Sequence, residues 1–338
     1  MASWPQAQGV FRLGDIPAQK GGVIRNARIV WKTHGTLNAA RDNVILYPCS
    51  YSAQHPGMEF LIGPDGILDP TKWFIVIPNM FSNGLSSGAA DQADWPVVTY
   101  HDLIQAQHRL LAEVFGVHHL AAVYGFSMGA QQAYHWAALH PDMVERAFVL
   151  CGSARTAVHN QIFLMSLMRT LEAAPEYTAN GQFSAEPRRS LRAFGTIYAH
   201  MALSQDFYRA DLHRRVLGAP DLTTYLRTDW EERYYTMRAA NLYGQLVTWL
   251  HGDISDNPLY GGDLDAALGA IKARMVLLPG ETDLYFRVAD NAAELPKLAN
   301  GVLKPIPSIW GHRAGNPNPA VIPDDFAFVR DAVRAELA

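Results

Sequence analysis

The sequence predicts an α/β fold, with a mostly parallel, doubly wound sheet that carries an inserted helical cap. Two observations lead to this prediction. Short apolar runs alternate with amphipathic helical stretches, which is the pattern of strands buried on both faces of a parallel sheet. The alternation stops between residues 153 and 263, where Leu, Met, Arg, Tyr and Ala dominate, and then resumes. A helical insertion into a sheet domain accounts for this interruption.

The first part of the chain is predicted to contain three strands. Residues 23–31 are rich in β-branched residues, and a turn at residues 33–36 follows them. Residues 44–47 and 73–77 are short apolar runs, and a proline follows each run at once. Because proline cannot donate a ladder hydrogen bond, it is a natural end for a buried strand.

The next segment alternates helix and strand. Apolar residues recur every three or four positions between 102 and 115, which predicts an amphipathic helix. An apolar strand is predicted at residues 120–124, a helix at 130–139 and another strand at 146–150. This order of elements is that of β-α-β units, which build parallel sheets.

The same alternation returns near the end of the chain. A strand is predicted at residues 274–278, a helix at 288–298, a strand at 302–306 and a closing helix at 324–336. These elements extend the sheet that the earlier strands begin.

The chain is therefore divided into a discontinuous core and one insertion. Residues 1–152 and 264–338 form the predicted sheet domain, and residues 153–263 form the predicted helical cap or lid. Within the cap, breaks between helices are expected near residues 179–181 and 218–220, where glycine, asparagine and proline concentrate.

The composition supports a globular fold and argues against two kinds of partner. Of the 338 residues, 49% are hydrophobic and 18% are charged, which supplies a sizeable core. The net charge is −4 and basic runs are missing, so neither nucleic acid nor a membrane surface is an expected partner. The N-terminus does not read as a signal peptide, so a cytoplasmic location is expected, with Cys49 and Cys151 as buried thiols.

Residues 125–129 form a G-x-S-x-G motif between a predicted strand and a predicted helix. A serine on such a sharp turn has strained backbone angles, and glycines on either side give the turn room. The turn lifts the Ser127 hydroxyl above the sheet edge and directs N–H groups of the helix start towards a developing oxyanion. The motif in this context predicts a serine nucleophile.

An acid and a histidine follow in the order that the α/β-hydrolase fold uses. Asp283 comes just after the strand at 274–278, and His312 comes just after the strand at 302–306. We predict His312 as the base and Asp283 as the acid that orients it. Glu281 is the alternative acid, and the other histidines are expected to be structural.

The oxyanion hole requires two N–H donors. One is expected at Met128, directly after the nucleophile, and the other at Tyr51, in the loop that follows the strand at 44–47. This loop lacks the H-G-G-G run of lipases, and an ordinary aromatic loop residue is the alternative interpretation of Tyr51.

Over most of its length the chain resembles the homoserine O-acetyltransferase family of α/β-hydrolase proteins. The resemblance is carried by residues 62–64, 68–79, 96–107, 124–133 and 136–141. A collinear match of this length is far more specific than G-x-S-x-G alone.

The resemblance implies both a site and a reaction. Ser127, Asp283 and His312 fall on the family's triad positions. The family's enzymes transfer an acetyl group from acetyl-CoA to a hydroxyl group by a ping-pong, acyl-serine route. Their helical cap commonly builds a dimer, which implies a possible homodimer through residues 153–263.

The histidine loop departs from the family pattern. Transferases typically carry Gly-His-Asp there, and the acidic residue helps to hold the substrate amine. Here residues 311–313 read Gly-His-Arg. Because a cationic Arg313 repels an ammonium group, it suits an anionic or neutral substrate; the alternative is that it points to solvent. The paired glycines of the family are also altered, at residues 125–126 and 129–130.

An intact triad with altered acceptor recognition favours a serine hydrolase that cleaves a small carboxylic ester, or an amide or thioester. The alternative is an acyl-CoA-dependent O-acyltransferase, with acetyl-CoA as its co-substrate. A catalytically silent binding protein is the third possibility. Neither a metal nor a bound cofactor is predicted, because the sequence has no zinc-ligand cluster and no nucleotide-binding glycine motif.

Overall fold

The computed structural model describes residues 4–338. These residues form an eight-stranded sheet flanked by helices. Its strand order is β1-β2-β4-β3-β5-β6-β7-β8, with antiparallel pairing of β1 to β2 and β2 to β4 and parallel pairing elsewhere. The strands are β1 Gln6–Pro17, β2 Val23–His34, β3 Val44–Leu46, β4 Phe74–Pro78, β5 Ala122–Phe126, β6 Arg146–Leu150, β7 Arg274–Leu278 and β8 Gly301–Leu303. The predicted α/β class with a mostly parallel sheet is confirmed.

Helices connect the parallel strands and fill the segment between β6 and β7. They are α1 Tyr100–Leu110, α2 Met128–Leu139, α3 Val158–Glu172, α4 Arg188–Ala202, α5 Gln205–Arg209, α6 Leu212–Arg215, α7 Leu222–Tyr225, α8 Glu232–Tyr235, α9 Ala239–Leu250, α10 Leu264–Gly269, α11 Val288–Glu294 and α12 Pro323–Leu337. Helices α3 to α9 lie within residues 153–263, the predicted cap, and α10 precedes the return to the sheet.

Local chemistry explains where α1 begins. The side chain of Thr99 accepts a hydrogen bond from the Asp102 N–H, and the Asp102 carboxylate accepts one from the Thr99 N–H. This reciprocal capping satisfies donors that a helix start leaves unpaired. The helical path continues as a π-turn over residues 111–115 and ends at Gly116, which has a left-handed φ of 60°.

One strand is absent from the prediction and several predicted bounds shift: β5, for example, covers residues 122–126 instead of 120–124, and two late elements end early. Strand β1 is not predicted, because most of its side chains are exposed and it lacks an apolar run. Strand β8 ends at Leu303 instead of Ile306, because Pro305 has no N–H to donate to the ladder. Helix α11 ends at Glu294, and a 3-10 turn that contains Pro296 replaces its predicted last turn.

The core has two layers, one on each face of the sheet. Neighbouring residues of β3 divide between them: Ile45 faces one layer, and Val44 and Leu46 face the other. The layer of Ile45 also contains buried cap residues such as Phe194 and Trp249. The cap helices and the sheet therefore share one continuous apolar layer, which holds the cap against the sheet's surface.

No helix within residues 4–338 has the combined length and apolar character that a membrane crossing needs. Cys49 and Cys151 are both buried and unbridged. The cytoplasmic location stays a prediction from the sequence.

Candidate active site

Ser127 sits at the sharp turn between β5 and α2, with the positive φ of 57° and a ψ of −126°. Such angles are strained for a serine, and strain of this kind concentrates at functional sites. The two flanking positions must be glycine, because a side chain there would collide with neighbouring backbone atoms. A Cβ on Gly125 would overlap the backbone of Gly129, and a Cβ on Gly129 would lie 2.6 Å from the carbonyl oxygen of Pro48. The turn therefore accepts no larger residue at either position without moving the backbone.

The structure brings Ser127, His312 and Asp283 together. His312 Nε2 lies 2.8 Å from Ser127 Oγ, and His312 Nδ1 lies 2.7 Å from Asp283 Oδ2. Asp283 follows β7, and His312 lies in the 3-10 turn of residues 311–315 after β8. All three side chains are buried. This is the geometry in which Nδ1 donates to the carboxylate and Nε2 accepts the serine proton.

The Asp283 carboxylate is held by the backbone that follows it. Its Oδ1 accepts hydrogen bonds from the N–H groups of Tyr285 at 2.8 Å and Phe286 at 3.4 Å. Its Oδ2 is left for His312. The alternative acid, Glu281, has an exposed side chain and makes no hydrogen bond with His312.

A buried thiol lies beside the acid. One ligand atom each from Cys151, Asp283 and His312 lies within 4.8 Å of the others, and residues 4–338 contain no second group of three metal-ligating side chains this close together. Burial raises the pKa of the Cys151 thiol, and the negative charge of Asp283 raises it further, so the thiol stays protonated. A metal ion at this point would have to break the Asp283–His312 hydrogen bond.

Two N–H groups near the nucleophile are available as donors. Within residues 4–338, neither the Met128 N–H nor the Tyr51 N–H has a hydrogen-bond acceptor. The two loop donors that follow Tyr51 are occupied: Ser52 N–H donates to Gln245 Oε1 at 2.7 Å, and Ala53 N–H donates to the Ser50 carbonyl, whereas the N–H of Ser50 has no acceptor within residues 4–338. Among residues 51–53, only the N–H of Tyr51 therefore has no acceptor.

Amide side chains fasten the loop that carries Tyr51, and sequence reasoning missed them. Gln245, on cap helix α9, holds the loop from one side. Gln132, on α2, donates to the Cys49 carbonyl at 2.8 Å from the other side. Asn79 Oδ1, after β4, accepts the His55 N–H at 3.1 Å at the far end of the loop. The signal available in the sequence was an amide residue such as Gln132 within a mostly apolar helix.

A cavity of about 900 Å³ opens in front of Ser127. Its walls come from the loop of residues 50–54, from cap residues such as Tyr198, Trp230 and Tyr234, and from the histidine loop. Arg313 lines this cavity, with its guanidinium carbon 5.1 Å from the centre of the Trp230 ring. A volume of this size lies within the range of small-molecule sites.

Comparisons with known proteins agree with this geometry. Residues 65–312 match the family described as the alpha/beta hydrolase fold. A probable esterase of Corynebacterium glutamicum is 37% identical over 320 residues, covering 91% of this chain and 90% of that protein. An ethyl acetate hydrolase of Pseudomonas veronii is 33% identical over 311 residues, covering 90% and 88%. A crystal structure of an acetylester hydrolase from Corynebacterium glutamicum superimposes with a TM-score of 0.89 at 34% identity, covering 97% of this chain and 96% of that one.

The resemblance to homoserine acyltransferases that the sequence predicts is confirmed. A homoserine O-succinyltransferase of Leptothrix cholodnii is 29% identical over 307 residues, covering 80% of each chain. The chain is thus similar to esterases and, at lower identity, to acyltransferases.

Proposed function

Since the chain belongs to the α/β-hydrolase fold family, we propose that it is a serine hydrolase that cleaves small carboxylic esters through an acyl-enzyme on Ser127. The observation that carries the proposal is the continuous hydrogen-bonded series Ser127–His312–Asp283 at the wall of a cavity large enough for a substrate. The similarity to esterases at 33–37% identity supports the ester as substrate.

In the acylation step, His312 Nε2 takes the proton of the Ser127 hydroxyl while Oγ attacks the ester carbonyl carbon. The carbonyl oxygen becomes an oxyanion, and the free N–H groups of Tyr51 and Met128 are the proposed donors that stabilise it. The tetrahedral intermediate expels the alkoxide, which takes the proton from His312. The alcohol leaves, and the acyl group stays on Ser127.

Deacylation repeats these steps with water. His312 takes a proton from water, the hydroxide attacks the acyl carbon, and the carboxylic acid leaves as the proton returns to Ser127 Oγ. Asp283 stabilises the imidazolium in both steps, because its Oδ2 lies 2.7 Å from the Nδ1 that carries a proton throughout.

The competing candidate is an O-acyltransferase, for which an alcohol, and not water, removes the acyl group. The 29% identity to a homoserine O-succinyltransferase supports this candidate. Against it, Arg313 stands in the cavity wall next to His312, where the transferases carry an acidic residue. The shared acyl-enzyme means that only the second acceptor separates the two functions.

Free thiol released from acetyl-CoA, measured with and without L-homoserine, separates the candidates. A parallel assay follows nitrophenol release from 4-nitrophenyl acetate. We expect nitrophenol release and no response to homoserine. Homoserine-dependent thiol release would establish the transferase instead, and the absence of both activities would favour a silent binding protein.

We also propose that the protein forms a homodimer through its cap. Helix α3 exposes Val158, Ile162 and Met165, whose exposed fractions are 72%, 62% and 46%. Their spacing of four and three residues places them on one face of the helix. Multi-angle light scattering of the wild type should give twice the chain mass, and Ile162→Glu should halve it. A monomeric wild type would contradict the proposal.

A further inference from the structure

The cavity in front of Ser127 has an unbalanced charge. Three arginines line it, namely Arg233, Arg238 and Arg313, and no aspartate or glutamate among residues 4–338 does so. Lining charges of one sign raise the local concentration of a ligand of the opposite sign.

Two of these arginines lack a protein counter-ion. Arg238 is balanced, because its Nε lies 2.6 Å from the Glu186 carboxylate. Within residues 4–338, neither Arg233 nor Arg313 has a carboxylate oxygen within 4.0 Å. The two glutamates that immediately precede Arg233 in sequence are engaged by Arg192 instead.

Both guanidinium groups make neutral contacts at the cavity, Arg233 as an exposed residue and Arg313 as a half-buried one. Arg233 donates to Ser52 Oγ at 3.3 Å, in the loop that carries the proposed oxyanion donor Tyr51. Arg313 lies over the ring of Trp230 and follows His312 directly. Burial raises the pKa of Tyr234 to about 12, and the positive charges of Arg233 and Arg313 oppose that rise. Both arginines therefore act electrostatically on the same side chain of the cavity wall.

We infer that the natural ester carries a carboxylate group, which Arg233 and Arg313 bind while Ser127 attacks the ester carbonyl. The planar guanidinium fork matches a carboxylate and can donate two hydrogen bonds to it. The volume of about 900 Å³ also exceeds what a small neutral acetate ester occupies, which leaves room for a second functional group. This inference rests on the proposed ester hydrolysis.

Two pairs of esters test the inference, because the members of each pair differ in charge and little in shape. On the alcohol side, 4-acetoxybenzoate is compared with 4-acetoxybenzamide. On the acyl side, monoethyl succinate is compared with ethyl succinamate. We expect kcat/KM to favour the anion in at least one pair, by about tenfold to a hundredfold, the range of a hydrogen bond to a charged group.

The variants Arg313→Gln and Arg233→Gln should each lower the ratio of kcat/KM for anion over amide by about tenfold, because each removes one of the two guanidinium groups that bind the carboxylate. The matched control is Arg215→Gln, which removes the same charge from an exposed position of cap helix α6 outside the cavity wall. That control should leave the ratio within about twofold, as expected for a screened, distant charge.

Two results would overturn the inference without touching the proposed function. One is hydrolysis of 4-nitrophenyl acetate with no preference for the anion in either pair. The other is a preference that the double variant Arg233→Gln/Arg313→Gln retains. Failure to hydrolyse any of these esters, 4-nitrophenyl acetate included, would instead refute the proposed function.

Discussion

Replacing Asp283 by asparagine tests the triad, because the surrounding hydrogen bonds determine how the new amide sits. Oδ1 of Asp283 accepts N–H groups from Tyr285 and Phe286. In Asp283→Asn the amide oxygen must keep that position, since an NH₂ group there would face two donors. The NH₂ group then points at His312 Nδ1, 2.7 Å away in the wild type.

The consequence is the wrong tautomer of the base. Nδ1 of His312 has to accept from the asparagine NH₂, so the ring proton moves to Nε2, which faces Ser127 Oγ. Nε2 can then no longer take the serine proton, and the carboxylate that stabilises the imidazolium is gone. We expect kcat to fall by about 10³ to 10⁴, or about 4 to 5 kcal/mol of transition-state stabilisation, as for the same change in a serine protease.

Stopped-flow or steady-state hydrolysis of 4-nitrophenyl acetate measures this loss, with circular dichroism to confirm that the variant is folded. Glu281→Gln is the matched control, because Glu281 lies two residues away and has an exposed side chain. It should keep kcat within about twofold, in line with other exposed substitutions. Near-normal kcat in Asp283→Asn together with a large loss in Glu281→Gln would refute the assignment of the acid.

Three further predictions concern the surroundings of the triad. Gly125→Ala should destabilise the fold by at least about 2 kcal/mol in urea unfolding, because its Cβ meets backbone, whereas Gly269→Ala, with open space around it, should not. Gln245→Ala should lower kcat by about tenfold with little change in KM, because it frees the Ser52 N–H and loosens the loop of residues 50–54, which carries the proposed oxyanion donor Tyr51. Burial raises the pKa of Glu294 to about 7, above its ordinary value in the unfolded chain. The contribution of the protonated side chain to the free energy of unfolding is therefore fully present below that ordinary pKa, and it is lost as the pH rises through 7. Glu294→Gln should therefore remove about 3 kcal/mol of the fall in unfolding free energy between pH 4.5 and 8, and equal falls in both proteins would contradict this.

Burial explains which strands the sequence could predict. Strands β3 to β7 are read from apolar runs, because each is covered on both faces and so needs apolar side chains throughout. Strand β1 escapes prediction because it lies at the sheet edge with mostly exposed side chains. The late errors have one cause: Pro296 and Pro305 interrupt hydrogen bonding inside runs whose apolar pattern continues past them.

The site divides in a similar way between local and long-range information. Ser127, Asp283 and His312 could be named because each follows a recognisable strand in a fixed chain order. The role of Gln245 could not, since it reaches a residue 193 positions away, and only the packing of α9 on the loop reveals the contact. The position of Arg233 is similarly invisible, because its place in the cavity wall depends on how the cap lies over the sheet.

The central claim is that Ser127 is the nucleophile, and covalent trapping tests it most directly. The protein is treated with a fluorophosphonate, digested, and the modified peptide is located by mass spectrometry, with Ser127→Ala as the control. We predict one adduct, on Ser127, at a stoichiometry near one, together with loss of 4-nitrophenyl acetate hydrolysis in both the labelled protein and the variant. An adduct on another residue, or turnover that Ser127→Ala retains, would contradict the mechanism.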